Sequence, residues 1–338
     1  MAATQVETEF GWIRLSDEPV QTSRPVVQLD DFYLETPPAR KLRELFDEAF
    51  ANRSWHIATA LSGAGKSVEI EDYQDRHPVE RLHTGQTRAP VIVGSPLTDD
   101  RSSLAGLQDS LIDNFGTVPR GTFVARRRWL IGEMVRCGTR LVITDDGHGH
   151  MSQDLLYLKQ LLDEVAKKMR AKVGLVIVCE GMQGHMPFQE LILKKGSAQW
   201  RQFRKRMSTS ERPWCHIASL SAEEVKVVLA GYEQGVLNER FPDLRLTMWS
   251  SRIHTHLTHS FFDTDPGERV TMQNVRNVVD GIIRRLAARH LSDIPGAALI
   301  DEVVAAMLAS PETKVLVRDP GSASPDGESG SSAKVTVI

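Results

Sequence analysis

Short apolar runs alternate along the first two thirds of the chain with longer stretches of helical spacing. The runs, which predict strands, occupy residues 54–60, 89–95, 140–144, 173–178 and 214–219. The amphipathic stretches, which predict helices, occupy residues 37–50, 68–74, 102–115, 123–137 and 153–170. Short apolar runs separated by helices are typical of a parallel sheet that is covered on both faces. We therefore predict an α/β fold with a parallel sheet sandwiched between helices.

The last third of the chain has only a helical pattern. Ser221 and Glu224 form the S-x-x-E pattern of a capping box, which marks the start of a helix. From there to about residue 309 no strand is predicted, so we expect a small helical lid domain. The predicted divisions are an extended N-terminal arm at 1–36, an α/β domain at 37–219, a helical lid at 220–317 and a Gly/Ser/Pro-rich disordered tail at 318–338.

The composition is that of an ordinary globular protein. The 338 residues are enough for one large domain and a smaller one, with 41% hydrophobic and 25% charged residues. The cysteines are Cys137, Cys179 and Cys215, without CxxC spacing, which favours reduced thiols and a cytoplasmic location. No apolar run approaches the ~20 residues that span a bilayer, so no membrane association is expected.

Positive charge is concentrated in the middle of the chain, although the net charge is −3. Residues 159–206 contain eleven Lys/Arg against four Asp/Glu, and residues 120–140 contain six against one. Such segments are an electrostatic signature of duplex DNA binding, whereas solvated helix faces are the alternative interpretation. The candidate DNA phosphate contacts are Arg126, Arg127, Lys167, Lys168, Lys194 and Lys195.

A phosphate-binding motif follows the first predicted strand. Residues 60–67 read ALSGAGKS, which matches the P-loop pattern G-x-x-x-x-G-K-[ST] except at Ala60. In this motif backbone N–H groups cradle phosphate, the lysine neutralises β/γ-phosphate charge and the hydroxyl binds Mg²⁺. Alanine resists positive φ, so Ala60 is expected to alter the loop geometry. The candidate ATP-binding residues are Ser62, Gly63, Ala64, Gly65, Lys66 and Ser67.

A second signal for ATP and Mg²⁺ lies 79 positions after Lys66, where the apolar strand LVIT ends in Asp145 and Asp146. In P-loop ATPases the first such acid holds Mg²⁺ through water and the second polarises the attacking water. We therefore assign Asp145 to the metal and Asp146 to catalysis. Asp146 replaces the usual glutamate, and its shorter side chain predicts slow hydrolysis.

The ordered motifs resemble the TniB/TnsC group of transposition ATPases, which are AAA+ proteins that choose target DNA for a transposase. The resemblance covers residues 35–235. It rests on SGAGKS, APVIVGSP, RLVITDDGHGHM, a helix before VGLVIVCEG, and RKRM before a strand and a capped helix. It implies a homo-oligomer on duplex DNA, with ATP between subunits and contacts to a transposase and a targeting factor.

The AAA+ resemblance also assigns roles to residues outside the P-loop. AAA+ proteins often place a polar sensor residue at the end of the third strand, where this chain has Cys179, a poor substitute. Arg204 and Arg206 precede the last strand and are candidates for an arginine finger that acts on a neighbouring subunit's ATP. A solvated basic helix is the alternative for these two arginines. The departures at Ala60, Asp146 and Cys179 put hydrolysis in question more than binding.

Two other functions remain compatible with the sequence. A signalling or defence NTPase of the STAND type would use its helical C-terminal part to bind a protein ligand. A nucleotide-binding scaffold without hydrolysis would share the same P-loop. ATP-dependent assembly on duplex DNA is the observation that separates the leading hypothesis from both.

Overall fold

The computed structural model divides the chain into two compact units, Met1–Tyr33 and Leu34–Ile338. The structure describes residues 5–8, 11–14, 33–83, 86–96, 103–150, 152–181, 192, 196, 198–207, 213–238, 241, 244–259, 270–288 and 297–308. The predicted tail and the candidate DNA contacts Lys194 and Lys195 lie outside the described residues. The predicted boundary between α/β domain and lid stays a prediction.

The first unit contains a pair of antiparallel strands, β1 (Gln5–Thr8) and β2 (Gly11–Arg14). The sequence predicted an extended arm in this region and contained no signal for the strand pair. Each strand has four residues, which is too short for an apolar period to become visible.

The second unit contains the helices and strands that the apolar pattern predicted, with ends that differ by a few residues. Its strands are β3 (Trp55–Ala60), β4 (Glu80–Arg81), β5 (Thr87–Arg88), β6 (Val91–Gly94), β7 (Leu141–Thr144), β8 (Gly174–Glu180) and β9 (Trp214–Ile217). Its helices are α1 (Pro37–Asn52), α2 (Lys66–Arg76), α3 (Ser103–Asp113), α4 (Phe123–Arg136), α5 (Ser152–Met169), α6 (Ala198–Met207), α7 (Ala222–Tyr232), α8 (Ser250–His259), α9 (Met272–Ala288) and α10 (Ala297–Leu308).

Five of these strands form a parallel sheet in the order β6-β7-β8-β3-β9. Strand β8 therefore lies between β3, which leads into the P-loop, and β7, which leads into Asp145. Helices α1 and α2 pack on one face of the sheet, and α3, α4, α5 and α6 pack on the other. The predicted α/β class is confirmed. The short antiparallel pair β4 and β5 was not predicted.

Both faces of the central strands β7 and β8 are buried, which explains why these strands are continuous apolar runs. In β8, Leu175 and Ile177 join the core under α3 to α6, whereas Val176 and Val178 join the core under α1 and α2. All four side chains are at most 1% exposed. Since successive residues of a strand point to opposite faces, a strand buried on both sides has no polar alternation.

Two polar side chains, Ser110 in α3 and Asn114 just after it, cover the outer edge of β6. The Asn114 amide, just after α3, donates to the Val93 carbonyl at 2.6 Å and accepts from the Val93 N–H at 3.0 Å. One turn earlier, the Ser110 hydroxyl accepts from the Ser95 N–H at 2.9 Å and donates to the Ser95 carbonyl. These contacts substitute for a further strand at the edge and fix Ser95 beside the second acid, Asp146.

The lid helices follow β9. The predicted capping box opens α7, because the Ser221 hydroxyl accepts from the Glu224 N–H and the Glu224 carboxylate accepts from the Ser221 N–H. A π-helical turn, Glu233–Leu237, and a 3₁₀ turn, Leu246–Trp249, connect α7 to α8. None of the described helices is both long and apolar enough to cross a membrane.

Candidate nucleotide-binding site

The loop between β3 and α2 needs glycine at two positions. Gly63 has φ 74° and Gly65 has φ 87°, in the left-handed region where a Cβ is unfavourable. Gly65 is also the N-cap of α2, so the first N–H groups of that helix have no side-chain cap and remain available to an anion. Ala60 is the last residue of β3 and adopts extended backbone, so its Cβ does not strain the loop as the sequence suggested.

Lys66, at the first position of α2, points back across this loop. Its Nζ donates to the carbonyls of Ala60 at 3.2 Å and Leu61 at 2.8 Å. Burial lowers the pKa of Lys66, whereas the carboxylates of Glu180, Asp145 and Asp146 act in the opposite direction. Three carboxylates therefore lie near the Lys66 ammonium, which is the positive charge that this site offers to a phosphate.

The pair Ser67 and Asp145 brings the two predicted metal-binding residues together. The Ser67 hydroxyl, in the first turn of α2, donates to the Asp145 carboxylate at 2.5 Å. Asp145 directly follows β7, whose neighbours in the sheet are β6 and β8, not β3. The contact therefore joins the carboxyl ends of two strands that are not adjacent in the sheet. A hydroxyl and a carboxylate at one point suit Mg²⁺, which prefers oxygen ligands.

The remaining ligands of a Mg²⁺ ion would come from elsewhere. In the described part of the chain, no group of three or more His, Cys, Asp and Glu side chains could hold a metal ion. Mg²⁺ commonly keeps several waters and binds through one or two protein groups plus substrate phosphates. The residues present fit a metal that arrives with a nucleotide, rather than a resident metal.

Asp146 adopts a left-handed conformation, with φ 51° and ψ 37°. Aspartate tolerates this region better than most residues. Its backbone N–H donates to the Asp145 carboxylate at 2.8 Å, and its own carboxylate accepts a long hydrogen bond, 3.4 Å, from the Ser95 hydroxyl. The Asp146 carboxylate is therefore directed toward β6 by Ser95, which Ser110 of α3 holds in place.

The turn after Asp146 packs directly on the end of β8. A Cβ at Gly147 would lie 2.6 Å from the Cys179 sulfur and 2.9 Å from the Val178 carbonyl oxygen, so only glycine fits there. Cys179 is fully buried, and burial raises the pKa of its thiol to about 12. Its side chain packs under the turn as a neutral thiol and does not supply a polar sensor.

Glu180 is the polar residue at the end of β8 that lies near the loop, and the sequence pattern did not indicate this role. It pairs in register with Ala60, and its carboxylate is the strongest of the charges that raise the pKa of Lys66. Cys179 belongs to the core on the α3 to α6 side of the sheet, and Glu180 is the next residue. Because β8 is apolar on both faces, the sequence had no alternation from which to choose between these two.

Two buried ionisable residues support the end of β7. His150, 5% exposed, makes a 3.2 Å contact between its Nε2 and the Thr144 hydroxyl, one residue before Asp145. Its Nδ1 lies 4.0 Å from a carboxylate oxygen of the fully buried Asp154 in α5. These contacts connect the start of α5 to the strand end that carries Asp145.

The P-loop helix is held to α1 by a buried ion pair. Glu69 in α2 is fully buried and accepts hydrogen bonds from the Arg43 guanidinium, Nε at 2.8 Å and a terminal nitrogen at 3.0 Å. The same guanidinium reaches Asp72, one turn further along α2, at 3.3 Å. A bidentate pair of this kind fixes orientation as well as distance. The position of α2, and with it of Lys66 and Ser67, is therefore set from outside the loop.

The tip of the loop contacts the lid, which the sequence did not predict. The Gln273 N–H, at the start of α9, donates to the Gly63 carbonyl at 3.0 Å. A Cβ at Gly63 would lie 2.8 Å from the Gln273 Cβ and 3.1 Å from the Thr271 hydroxyl. The phosphate loop and the first turn of a lid helix are therefore in direct backbone contact.

The two arginine-finger candidates are engaged within the chain. Arg204 donates to the Ile192 carbonyl at 2.9 Å, and Arg206 donates to the Asp163 carboxylate of α5 at 2.5 Å. Arg206 shares a pocket with Trp55 at the start of β3, whereas the P-loop follows the end of this strand. Six residues of strand separate these ends by roughly 17 Å, so Arg206 is remote from its own P-loop.

The candidate DNA contacts fall into two groups. Arg126 is paired with Asp109, and Arg127 is paired with Glu164 at 2.6 Å and lies over the Tyr157 ring. Both arginine side chains are at most 20% exposed. Lys167 and Lys168, in the last turn of α5, are exposed. Lys167 and Lys168 are therefore accessible to a ligand, whereas Arg126 and Arg127 form ion pairs with Asp109 and Glu164.

The sequence matches no protein-family model and no curated protein. Among solved structures the fold is similar to Cdc6p from Pyrobaculum aerophilum, with a TM-score of 0.52 and 13% identity over 75% of this chain and 62% of that one. It is also similar to ORC2 from Aeropyrum pernix in ADPNP-ADP complexes, with a TM-score of 0.52 and 12% identity over 79% of this chain and 66% of that one. This chain spans just under two thirds of the length of either. The sheet order, the P-loop and these two likenesses together show that the chain has the fold of AAA+ P-loop ATPases.

Proposed function

We propose that this protein is an ATP-binding, slowly hydrolysing AAA+ ATPase that assembles as a homo-oligomer on duplex DNA and regulates target selection for a transposase. The observation that carries the nucleotide part is the 2.5 Å contact between Ser67 and Asp145 beside the P-loop. These two residues lie 78 positions apart in the chain, yet they are in contact beside the phosphate loop. We infer that together they hold the Mg²⁺ ion that accompanies ATP.

Nucleotide binding follows from the groups at the start of α2. The helix N-terminus offers backbone N–H donors, Lys66 supplies a positive charge, and Ser67 with Asp145 supplies oxygen ligands for Mg²⁺. Bound ATP supplies the phosphoanhydride bond that is cleaved. The ADPNP-ADP complexes named for the ORC2 structure support an adenine nucleotide as the ligand.

Slow hydrolysis is expected from the position of Asp146. A carboxylate that orients water must reach it, and aspartate is one methylene shorter than glutamate. The Asp146 carboxylate also accepts a hydrogen bond from Ser95, which directs it toward β6. This hydrogen bond equally favours the second candidate function, a nucleotide-binding scaffold without hydrolysis. Turnover measurements separate the two.

The DNA and transposition parts rest on the resemblance to the TniB/TnsC group and on the exposed basic residues. Lys167 and Lys168 are adjacent on α5 and open to solvent, so they are the leading DNA phosphate contacts. A transposase and a targeting factor are the protein partners that the resemblance implies. The three cysteines are free, in keeping with the proposed cytoplasmic location. Of the two arginine-finger candidates, Arg204 keeps the proposed role on the ATP of a neighbouring subunit, because Arg206 is held by Asp163 in a pocket at the start of β3.

Replacing Lys66 with alanine is expected to weaken ATP binding severely, because the point charge on the β/γ-phosphates is lost. Titration of a fluorescent ATP analogue measures this. The matched control is Lys226→Ala, an exposed lysine on the lid helix α7, which should bind the analogue with unchanged affinity. Equal affinity of Lys66→Ala and the parent protein would refute the nucleotide site.

Asp146→Glu is expected to keep ATP binding and to raise a slow basal rate of phosphate release, since the longer side chain reaches the attacking water. Asp146→Asn, of equal size, should bind ATP and release no phosphate. Asp145→Ala should remove the Mg²⁺-dependent tightening of ATP.

Steady-state phosphate release, with Mg²⁺ and with EDTA, measures these rates. A parent protein that releases no phosphate, together with no gain in Asp146→Glu, would favour the scaffold without hydrolysis. If the parent protein hydrolyses ATP and Asp146→Glu releases phosphate more slowly than the parent does, the site requires aspartate.

Gly63→Ala is expected to weaken ATP binding, because the added Cβ collides with Gln273 and disturbs the contact between loop and lid. Gly116→Ala is the matched control. Gly116 also has positive φ, 66°, but a Cβ there would meet nothing within 4 Å. Both variants should lose about 1–2 kcal/mol of stability from the left-handed backbone, and only Gly63→Ala should lose nucleotide affinity.

The lid side of the contact is tested without backbone strain by Arg276→Ala. Arg276 follows Gln273 by three positions in α9, and residues at this spacing share a helix face. We propose that its guanidinium, which lies near Tyr232 of α7, also contacts the nucleotide phosphates from the lid. Analogue titration of Arg276→Ala should show weaker ATP binding. If both Gly63→Ala and Arg276→Ala bind ATP as the parent does, the lid has no part in the site.

Duplex DNA binding is expected to depend on ATP and to fall steeply with salt. Lys167→Gln with Lys168→Gln should reduce the slope of log affinity against log salt by ~1.8, because each lost phosphate contact removes ~0.9. Lys41→Gln with Lys226→Gln removes the same charge from exposed positions outside the basic segments and should leave the slope unchanged. Fluorescence anisotropy of a labelled duplex with ATP, with ADP and without nucleotide measures all of these.

Two results would contradict the DNA proposal. One is the absence of binding at low salt with ATP, which would favour the protein-signalling alternative of the STAND type. The other is an equal slope for the two double variants. Sedimentation with ATP, with and without duplex, reports whether the subunits assemble.

A further inference from the structure

A basic pocket lies at the opposite end of the sheet from the P-loop. It has a volume of about 350 Å³ and is lined by residues at the starts of β3 and β8 and by side chains of α5 and α6. Trp55 is the first residue of β3, and the P-loop begins after the last one. The pocket is therefore roughly 17 Å from the nucleotide site, measured along the strand.

Five cations and one carboxylate line this pocket. The cations are Arg53, Lys159, Lys172, Lys205 and Arg206, and the carboxylate is Asp163. Asp163 accepts from Lys159 at 2.8 Å and from Arg206 at 2.5 Å, so it is shared between two cations. The lining retains an excess of four positive charges in a chain whose net charge is −3. A concave surface of one sign focuses its field on a small ion of the opposite sign.

Several of these cations are held in place. Lys159 is only 8% exposed, and its ammonium is fixed by Asp163. Arg53 follows α1 with a left-handed backbone, φ 52°, and its guanidinium donates to the Lys172 carbonyl at 3.1 Å. Within the described residues neither Arg53 nor Lys172 is paired with a carboxylate. Fixed donors cost less entropy on binding than free side chains, so this pocket is preorganised for an anion.

Part of the pocket lining is apolar, and the volume and charge of the pocket limit the kind of anion that it can bind. Trp55, Leu162 and Val173 line it beside the cations, and the Trp55 indole is fixed by its N–H, which donates to the Val173 carbonyl at 3.0 Å. The volume is at the lower end of the range for small-molecule pockets, and the site is concave. An excess of four charges suits a ligand with more than one phosphate group, each of which carries up to two negative charges.

We propose that this pocket binds a small anion with two or more phosphate groups, at a site separate from the P-loop. Phosphates of the DNA backbone have the same chemistry, but a duplex is too broad to enter a pocket of about 350 Å³. Arg53, Lys159 and Arg206 hold the phosphate oxygens, and Lys172 and Lys205 lie beside them. The proposal does not depend on ATP turnover or DNA binding by this protein.

Isothermal titration calorimetry with pyrophosphate tests the proposal, in a Lys66→Ala background so that the P-loop contributes little. We expect saturable binding that weakens with salt. Arg53→Gln with Lys172→Gln should raise the dissociation constant at least about tenfold, since two charged hydrogen-bond donors are lost. Lys41→Gln with Lys226→Gln, in the same background, loses equal charge outside the pocket and should bind as the background does. Thermal unfolding confirms that each variant is folded, and Lys172→Glu alone, at an exposed position, replaces the double variant if it is not.

Three outcomes overturn the proposal. They are no pyrophosphate binding in the Lys66→Ala protein, equal weakening by the pocket and control variants, and weakening of labelled duplex binding by the pocket variant without any change in pyrophosphate binding. The last would mean that the pocket residues contact the DNA backbone instead. Failure of the parent protein to bind ATP leaves the pyrophosphate titrations readable, because each of them lacks Lys66. The duplex comparison keeps Lys66, since duplex binding is expected to depend on ATP.

Discussion

The requirement that both faces of the parallel sheet be buried determines where this protein can place polar chemistry. Within β8, Leu175 and Val176 already point into two different cores, so neither face has room for a charge. Polar groups of β8 can therefore emerge only where the strand ends. Ser67, Asp145 and Glu180 all follow or terminate strands at the carboxyl edge, and the lysines of the basic pocket lie at or beyond the other edge.

Much of the α/β fold could be predicted from the sequence because each element carries its own local signal. The apolar period of α1, the P-loop at Lys66 and the capping box at Ser221 each lie within a few residues of chain. The meeting of Ser67 with Asp145 could also be anticipated, because carboxyl ends of parallel strands share one edge of the sheet.

Features that depend on distant partners could not be predicted in this way. Cys179 and Glu180 are adjacent, and only the packing of Gly147 on the sulfur shows which of them is buried. Counting charges along the sequence likewise could not distinguish an arginine that is paired with a carboxylate from a lysine that is exposed to solvent. Arg126 is paired with Asp109, whereas Lys168 is exposed, although both contribute equally to a count. Arg53 joins the basic pocket from outside either basic segment, which no segment count would reveal.

The hydrogen bond from the Gln273 N–H to the Gly63 carbonyl has a thermodynamic consequence. If nucleotide binding shifts the lid by way of this bond, then any molecule that prefers one lid position must alter nucleotide affinity by the same factor, because coupling between two sites is reciprocal. A partner that docks on α7 to α10 would thus regulate ATP occupancy without approaching the phosphates. The sign of that regulation would depend only on which lid position the partner prefers.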